Sequence, residues 1–193
     1  MTNSRIQRIH SHLIEAGDVL HATAELSEQV ALVAEVVIES LKNSGTIFWC
    51  GNGGSAADSQ HLAAELIGRY KHERKAISSL ALTTDTSILT AISNDYGFEH
   101  VFSRQLEGLA REGDVLIALT TSGKSKSILR AIEAAQSLKV VTVLFTSVKY
   151  QGDKGDFVLR VPSEKTEQIQ HAHTAIGHII CELIETSLLT ELE

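Results

Sequence analysis

Residues 46–55, Thr46-Ile47-Phe48-Trp49-Cys50-Gly51-Asn52-Gly53-Gly54-Ser55, decide the fold of this 193-residue chain. The first half of the stretch predicts a short buried strand, and its glycines predict a tight turn that leads into a helix. A turn between a parallel strand and a helix is where open α/β sheets bind their ligands. We therefore predict a binding site at this turn.

Strand and helix patterns alternate after this stretch, which is typical of βαβ units and a parallel sheet. The predicted strands are 46–50, 78–82, 115–119, 140–145 and 157–161, and the predicted helices are 55–69, about 86–93, 100–111, 125–137 and 166–189. We expect one domain over residues 1–193, with a helical pair at 1–43 before an α/β core at 44–193. Gly45 is expected to close the second helix of that pair. The apolar stripes of the pair either cover the sheet or form an oligomer interface, and the sequence does not decide between these.

The composition argues against several classes of partner. Apolar residues make up 43% of the chain, charged residues 21%, and the formal net charge is −7. This acidic balance disfavours nucleic acid or an anionic membrane as the main partner, although backbone amides can still bind a phosphate. Two cysteines form no disulfide framework, and no signal peptide or membrane-spanning run is present. We expect a soluble, cytoplasmic protein.

The helix after the Gly-rich turn carries candidate metal ligands. Ser55 is the expected N-cap, with Asp58 as its capping-box partner. His61 and Glu65 are four residues apart, so they share one face and can hold a divalent metal together. The spacing alone is explained more simply by a polar surface pair, because the longer metalloprotease motif is absent.

A second loop, Thr120-Thr121-Ser122-Gly123-Lys124-Ser125, follows the strand at 115–119. Its hydroxyls and the start of the next helix can cradle a phosphate, although the loop does not match a Walker A motif. An ordinary Ser/Thr turn with Ser125 as N-cap explains the loop equally well. Both interpretations stay open on the local sequence.

The last helix carries Gln170, His171, His173 and His178 beside an apolar stripe. Spacing pairs His171 with His178 best and does not choose among the three histidines as ligands. Asn94-Asp95-Tyr96-Gly97 predicts a turn, and Lys71-His72-Glu73-Arg74-Lys75 predicts a solvated loop. Cys50 is interpreted as a buried small residue rather than a nucleophile.

Taken together, these motifs resemble the sedoheptulose-7-phosphate isomerases (phosphoheptose isomerases) of the sugar-isomerase (SIS) superfamily. The resemblance extends over nearly the whole chain, in motifs that follow one another in the family's order. They are C-G-N-G-G-S at 50–55, H-x-x-x-E-x-x-G-R-Y at 61–70, N-D-Y-G-F at 94–98, G-D-V-L-I at 113–117, T-S-G-K-S at 121–125 and I-Q-x-x-H-x-x-x-x-H at 169–178.

The resemblance implies a doubly wound, five-stranded parallel sheet and a homotetramer with sites shared between subunits. It implies one zinc ion per subunit, with ligands His61, Glu65, Gln170 and His178, and thus favours Gln170 over His171. Glu65 and His178 correspond to the family's acid–base pair. The implied substrate contacts are Asn52, Gly53, Gly54, Ser55, Glu65, Asn94, Asp95 and Gln170 for the sugar, and Thr120, Thr121, Ser122 and Ser125 for the phosphate.

The activity implied is isomerisation of sedoheptulose 7-phosphate to D-glycero-D-manno-heptose 7-phosphate for nucleotide-heptose synthesis. The alternatives are a non-catalytic SIS module that binds the replication initiator protein and an isomerase of another sugar phosphate. The chain departs from the family's pattern at Gln168, in the loop 146–156 and at Gly177. A glycine at this mid-helix position costs roughly 1 kcal/mol of helix propensity.

Overall fold

A computed structural model describes residues 2–190 and contains the predicted five-stranded parallel sheet. The strands are β1 Ile47–Gly51, β2 Ser79–Ala81, β3 Val115–Leu119, β4 Val141–Ser147 and β5 Phe157–Val161. They lie in the order β2-β1-β3-β4-β5, all parallel. The chain reverses its direction of winding between β1 and β3, so the loops after these two strands meet at the topological switch point.

Both faces of the sheet are covered, which explains why β1 and β3 are apolar at every position. Trp49, Ile117 and Phe145 face one buried cluster, which includes residues of the second and last helices. Phe48, Leu116 and Leu144 face the other cluster. Such alternation along each strand produces two apolar layers, as the doubly wound prediction requires.

Seven helices and two short 3₁₀ turns, Ala24–Leu26 and Phe98–His100, complete the described part of the chain. The helices are α1 Thr2–Thr23, α2 Ser27–Lys42, α3 Gly54–Ile67, α4 Thr86–Tyr96, α5 Ser103–Leu109, α6 Lys126–Ser137 and α7 Thr166–Thr190. The helix predicted at 100–111 is wrong in its bounds, because a 3₁₀ turn precedes the shorter α5. No helix within residues 2–190 combines the length and hydrophobicity needed to cross a membrane.

The two leading helices differ in burial. Val33 and Val37 of α2 are fully buried, whereas Ile9 and Leu13 of α1 are 61% and 69% exposed. The apolar stripe of α1 therefore does not cover the sheet within one chain.

The end of α2 also differs from the prediction. Ser44, rather than Gly45, adopts the left-handed conformation after the helix, with φ 65°. Gly45 is needed for a different reason, since a Cβ there would lie 2.2 Å from the Ser40 hydroxyl.

Candidate active site

The Gly-rich turn after β1 has the sharp geometry that its glycines predict. Gly53 is left-handed with φ 58°, and α3 begins at the next residue. Gly51 has no room for a side chain, because a Cβ there would lie 2.4 Å from the carbonyl oxygen of Ser55. The turn thus brings strand and helix backbones into direct contact.

The capping role predicted for Ser55 and Asp58 is wrong. Gly53 is the N-cap of α3 and makes no side-chain cap, and Ser55 is buried in the first turn. Asp58 instead reaches the last helix, where the Thr174 hydroxyl donates to its Oδ1 at 3.1 Å. Burial raises the pKa of the Asp58 carboxyl, against the opposing effect of that hydrogen bond. Asp58 therefore ties α3 to α7.

The hydroxyl-rich loop after β3 is joined directly to the Gly-rich turn. Asn52 donates from Nδ2 to the hydroxyl oxygens of Ser125 at 2.8 Å and Ser127 at 2.9 Å. Ser125 is the N-cap residue of α6, as predicted, but its side chain caps no backbone amide. Its hydroxyl is thus directed to the neighbouring loop rather than to its own helix.

The atypical loop 146–156 supports this second site loop. Gly123 is left-handed with φ 66°, and a Cβ on it would lie 2.3 Å from the ring of Tyr150. The Ser147 hydroxyl donates to the Thr121 carbonyl at 2.8 Å. Tyr150 itself is nearly buried. Loop 146–156 therefore packs directly behind residues 121–123 and supports them.

A cluster of three side chains forms where α3 and α7 lie side by side. His61 Nε2 is 2.9 Å from Glu65 Oε1 and 3.3 Å from His178 Nε2, and Glu65 Oε1 is 3.9 Å from His178 Nε2. The two helices run parallel, since contacts advance together from Asp58–Thr174 to His61–His178. The His61–Glu65 pair is therefore not an isolated surface pair.

These three side chains have the chemistry and spacing of a divalent metal site. One ligand atom from each lies within 4.8 Å of the others. A tetrahedral zinc ion with nitrogen and oxygen ligands separates its ligand atoms by about 3.4 Å, within the range of the distances above. Two histidines and one glutamate also match a common catalytic zinc set that leaves a position open for water or substrate. The residues present fit such an ion.

The histidines that spacing left open are separated by burial. His173 is fully buried, with Nε2 3.0 Å from the Thr146 carbonyl oxygen, and burial lowers its pKa to about 4. His171 is exposed, and His178 alone of the three joins the cluster with Glu65. His178 is the histidine that lies on the face of α7 in contact with α3.

Gln170 lies away from the cluster along α7. Its side-chain amide packs over Gly54, where a Cβ would lie 2.3 Å from Nε2. It is eight residues before His178, which corresponds to about 12 Å along the helix axis. Gln170 thus borders the Gly-rich turn within one chain.

Asn94 and Asp95 lie in the last turn of α4, so the turn predicted at 94–97 begins only at Gly97. Both side chains are exposed, and Asn94 Nδ2 donates to Asp95 Oδ1 at 2.7 Å. Among residues 2–190, no hydrogen bond joins either side chain to the two site loops. They are available to a ligand without being held by the rest of the site.

The sequence motifs assign no role to three residues near the cluster, which are Tyr70, Arg74 and Glu185. Tyr70 stacks on His178, and the predicted solvated loop 71–75 contains Arg74, whose side chain is 3% exposed and paired with buried Glu185. The prediction of a wholly solvated loop is wrong for Arg74. No local signal marks the pair, because its members are 111 residues apart.

Cys50 is fully buried, and burial raises the pKa of its thiol. This environment keeps the thiol protonated and unreactive, in agreement with a packing role.

Comparison with known proteins gives one consistent result. The SIS domain family matches residues 12–147. The chain is 49% identical over 183 residues to the phosphoheptose isomerase of Akkermansia muciniphila. The matched region covers 93% of this chain and 96% of that protein. It is similar to the solved phosphoheptose isomerase structures from Neisseria gonorrhoeae (38% identity, TM-score 0.86, 93% and 98% coverage) and Francisella tularensis (32%, 0.90, 94% and 98%).

Proposed function

The chain belongs to the phosphoheptose isomerases of the SIS-domain family, and we propose that its site converts sedoheptulose 7-phosphate into D-glycero-D-manno-heptose 7-phosphate for nucleotide-heptose synthesis. The reaction is an aldose–ketose isomerisation. One observation carries the assignment to this site. Glu65 and His61 lie on α3, the helix that begins at the Gly-rich turn, and both are close to His178 of α7.

Glu65 and His178 would act as the acid–base pair. Conversion of a ketose to an aldose moves a proton between C1 and C2 through an enediol, so one group must accept the carbon-bound proton and return it. The Glu65 carboxylate suits that task, while the His178 imidazole suits proton exchange with the carbonyl and hydroxyl oxygens. Their 3.9 Å separation allows both to reach adjacent atoms of one enediol.

His61, Glu65 and His178 would hold a zinc ion, with Gln170 as a further ligand. When bound, zinc would polarise the oxygens of the sugar at C1 and C2. Gln170 lies about 12 Å along α7 from His178. We therefore propose that the Gln170 ligand of each ion comes from a second copy of the chain, in a shared site.

Complementation between two inactive variants tests this sharing. Glu65→Gln and Gln170→Ala proteins are each expected to be inactive, and mixed oligomers are expected to regain part of the activity because some sites receive both native residues. If mixtures stay inactive although mass spectrometry detects mixed oligomers, the site is not shared in this way.

The sugar phosphate would lie across the two joined loops. Hydroxyls of Thr120, Thr121, Ser122 and Ser125 would hold the phosphate, together with the free amides at the start of α6. The sugar hydroxyls would contact residues from the first loop and from α4, which are Asn52, Gly53, Gly54, Ser55, Asn94 and Asp95. The Asn52–Ser125 hydrogen bond supports this arrangement because it fixes one loop to the other.

A homotetramer would cover the exposed apolar side chains of the leading helices. Besides Ile9 and Leu13, Ile179 on α7 is 48% exposed and Leu32 on α2 is 52% exposed. A cavity of about 260 Å³ also lies between Leu20 and residues of α2 and α7. Clustered, exposed apolar side chains are typical of surfaces between subunits.

An assay with sedoheptulose 7-phosphate tests the activity. Purified protein supplied with zinc is expected to form the aldose, and Glu65→Gln protein is not. Absence of turnover with zinc present, together with tight binding of the replication initiator protein, would replace this proposal with a binding role. Turnover of a different sugar phosphate alone would retain the mechanism and change the substrate.

A further inference from the structure

The segment after α3 is held in place by one buried carboxylate. Glu185 of α7 is fully buried and accepts backbone hydrogen bonds from Tyr70 at 3.1 Å, Lys71 at 2.7 Å and His72 at 2.9 Å. A buried carboxylate requires such donors, because burial without partners strongly disfavours the charge. Glu185 therefore fixes the backbone of three consecutive loop residues.

Arg74 completes this arrangement and connects it to α3. Its Nε donates to Glu185 Oε1 at 3.0 Å, and its Nη atoms donate to the carbonyl oxygens of Leu66 and Glu65, both at 2.8 Å. Arg74 thus caps carbonyls at the C-terminal end of α3, which have no partners within the helix. Burial opposes ionisation of Glu185, but the loop amides and Arg74 outweigh it and keep its pKa below the usual value.

The loop held by Glu185 places an aromatic ring on His178. The rings of Tyr70 and His178 are stacked, with centroids 5.3 Å apart and planes 10° apart. The His61 ring meets the same imidazole edge-on, at 4.9 Å and 75°. His178 and Glu185 are seven residues apart and so share one face of α7. The buried carboxylate of Glu185 therefore holds Tyr70 in place against the His178 imidazole.

We propose that Tyr70 is a positioning residue whose ring, held by Glu185 and Arg74, fixes the orientation of the His178 imidazole toward Glu65 and a bound metal ion. The inference rests on the proposed function, because it concerns the same acid–base pair. The stacked Tyr70 ring limits rotation about the side-chain bonds of His178, so that His178 Nε2 stays directed toward Glu65. Groups that orient a metal ligand through hydrogen bonds commonly affect metal affinity and activity by 10–100-fold, and we expect a stacked ring to act at the lower end of that range.

The Tyr70→Leu and Tyr70→Phe variants test the proposal. Tyr70→Leu removes the stacked ring and leaves Glu185 with its backbone donors, and it is expected to weaken zinc affinity about tenfold and to lower kcat about tenfold with KM within about twofold. Tyr70→Phe keeps the ring and is expected to stay within about twofold of the unaltered protein in zinc affinity and kcat. Zinc affinity is measured by competition with a chromogenic chelator, and thermal unfolding is recorded in parallel.

The outcomes separate this inference from the proposed function. If Tyr70→Leu lowers only the unfolding temperature and leaves zinc affinity and kcat unchanged, Tyr70 is a packing residue and the inference is wrong. If the unaltered protein binds zinc without turning over the sugar phosphate, the proposed function fails, and the ratio of zinc affinities still decides the role of Tyr70. If the unaltered protein turns over the sugar phosphate without binding zinc, the ratio of its kcat to that of Tyr70→Leu decides the role of Tyr70. Glu185→Gln is expected to change both quantities in the direction of Tyr70→Leu, with lower thermal stability as well.

Discussion

The side chain of Leu62 in α3 packs directly on Gly177 in α7. It occupies the space that a Cβ would need if residue 177 were not glycine. A Cβ on Gly177 would stand 2.4 Å from Leu62 Cδ1, well inside van der Waals contact. His178 follows Gly177 directly, and Glu65 lies one turn beyond Leu62. The absent side chain therefore lets the two helices approach closely beside Glu65 and His178, the proposed acid–base pair, which explains a glycine that weakens its own helix.

Gly177→Ala is expected to destabilise the protein although alanine is the better helix former. Overpacking against buried Leu62 costs about 1–3 kcal/mol, which exceeds the roughly 1 kcal/mol gain in propensity. The separation of the helices would also shift His178 and lower kcat. Urea denaturation and steady-state kinetics measure both effects. Gly108→Ala in α5, where a Cβ meets nothing within 4 Å, is the matched control and should raise stability. A Gly177→Ala protein more stable than the original would contradict this account.

Gly54→Ala is expected to affect activity without loss of stability. A Cβ there would displace the Gln170 amide, which is the flexible end of a side chain and can turn away at little cost. If Gln170 serves the substrate or metal, its displacement should lower kcat/KM by about tenfold or more. Gly108→Ala, with open space around its Cβ, controls for the backbone effect of the substitution. Unchanged kcat/KM would remove Gln170 from the site in this position.

Glu65→Gln and His178→Ala should each lower kcat by at least about 100-fold, because each removes one partner in proton transfer. Neither substitution adds bulk to the site, so size-exclusion chromatography should find the assembly state unchanged. Glu73→Gln is the control, since this nearby side chain is 89% exposed. Activity retained by either variant would exclude that residue from the mechanism.

Acidification is expected to reduce stability through His173. Its folded pKa of about 4 lies below the ordinary value of 6.5, so between these values the unfolded chain binds a proton that the folded chain does not. The unfolding free energy therefore falls as the pH falls from about 6.5 toward 4, by at most about 3 kcal/mol. His173→Gln, whose amide can still donate to the Thr146 carbonyl, should flatten this dependence.

Urea unfolding at a series of pH values between 4.5 and 7.5 measures the effect. Exposed His171→Gln is the matched control and should keep the original slope. An unchanged slope in His173→Gln protein would show that other groups cause the pH dependence. The lowered pKa of Glu185 reduces stability only below the ordinary carboxyl value of 4.5, so it does not contribute to the slope in this range.

The strands and the Gly-rich turn could be predicted because their signals are local. Residues 46–55 contain an apolar run and the glycines that its backbone contacts require. The choice of His178 over His171 and His173 could not be made from spacing, since it depends on which face of α7 meets α3. That face includes the Gly177–Leu62 contact, between residues far apart in the chain.

The role of Arg74 was hidden for a similar reason. Within Lys71–Lys75 it is one charge among several, and the pattern of such a run predicts solvent exposure. Its partner Glu185 is buried on a different helix. A single sequence carries no sign of such a pair, whereas helix periodicity does predict the apolar stripes of α1 and α2.

The exposed stripe of α1 leads to a prediction about assembly. Leu13→Asp places a charge among Ile6, Ile9 and Leu20, all of which are exposed in the single chain. If a second copy covers this stripe, the charge should be costly to bury and the proposed tetramer should dissociate into smaller species. If subunits share the site, this dissociation should also lower the activity. Ser11→Asp adds the same charge on the opposite face of α1 and should leave both unchanged. Analytical ultracentrifugation over a range of concentrations measures the outcome for both variants and the unaltered protein. A Leu13→Asp protein with the same assembly state as the unaltered protein would show that α1 lies outside any subunit interface.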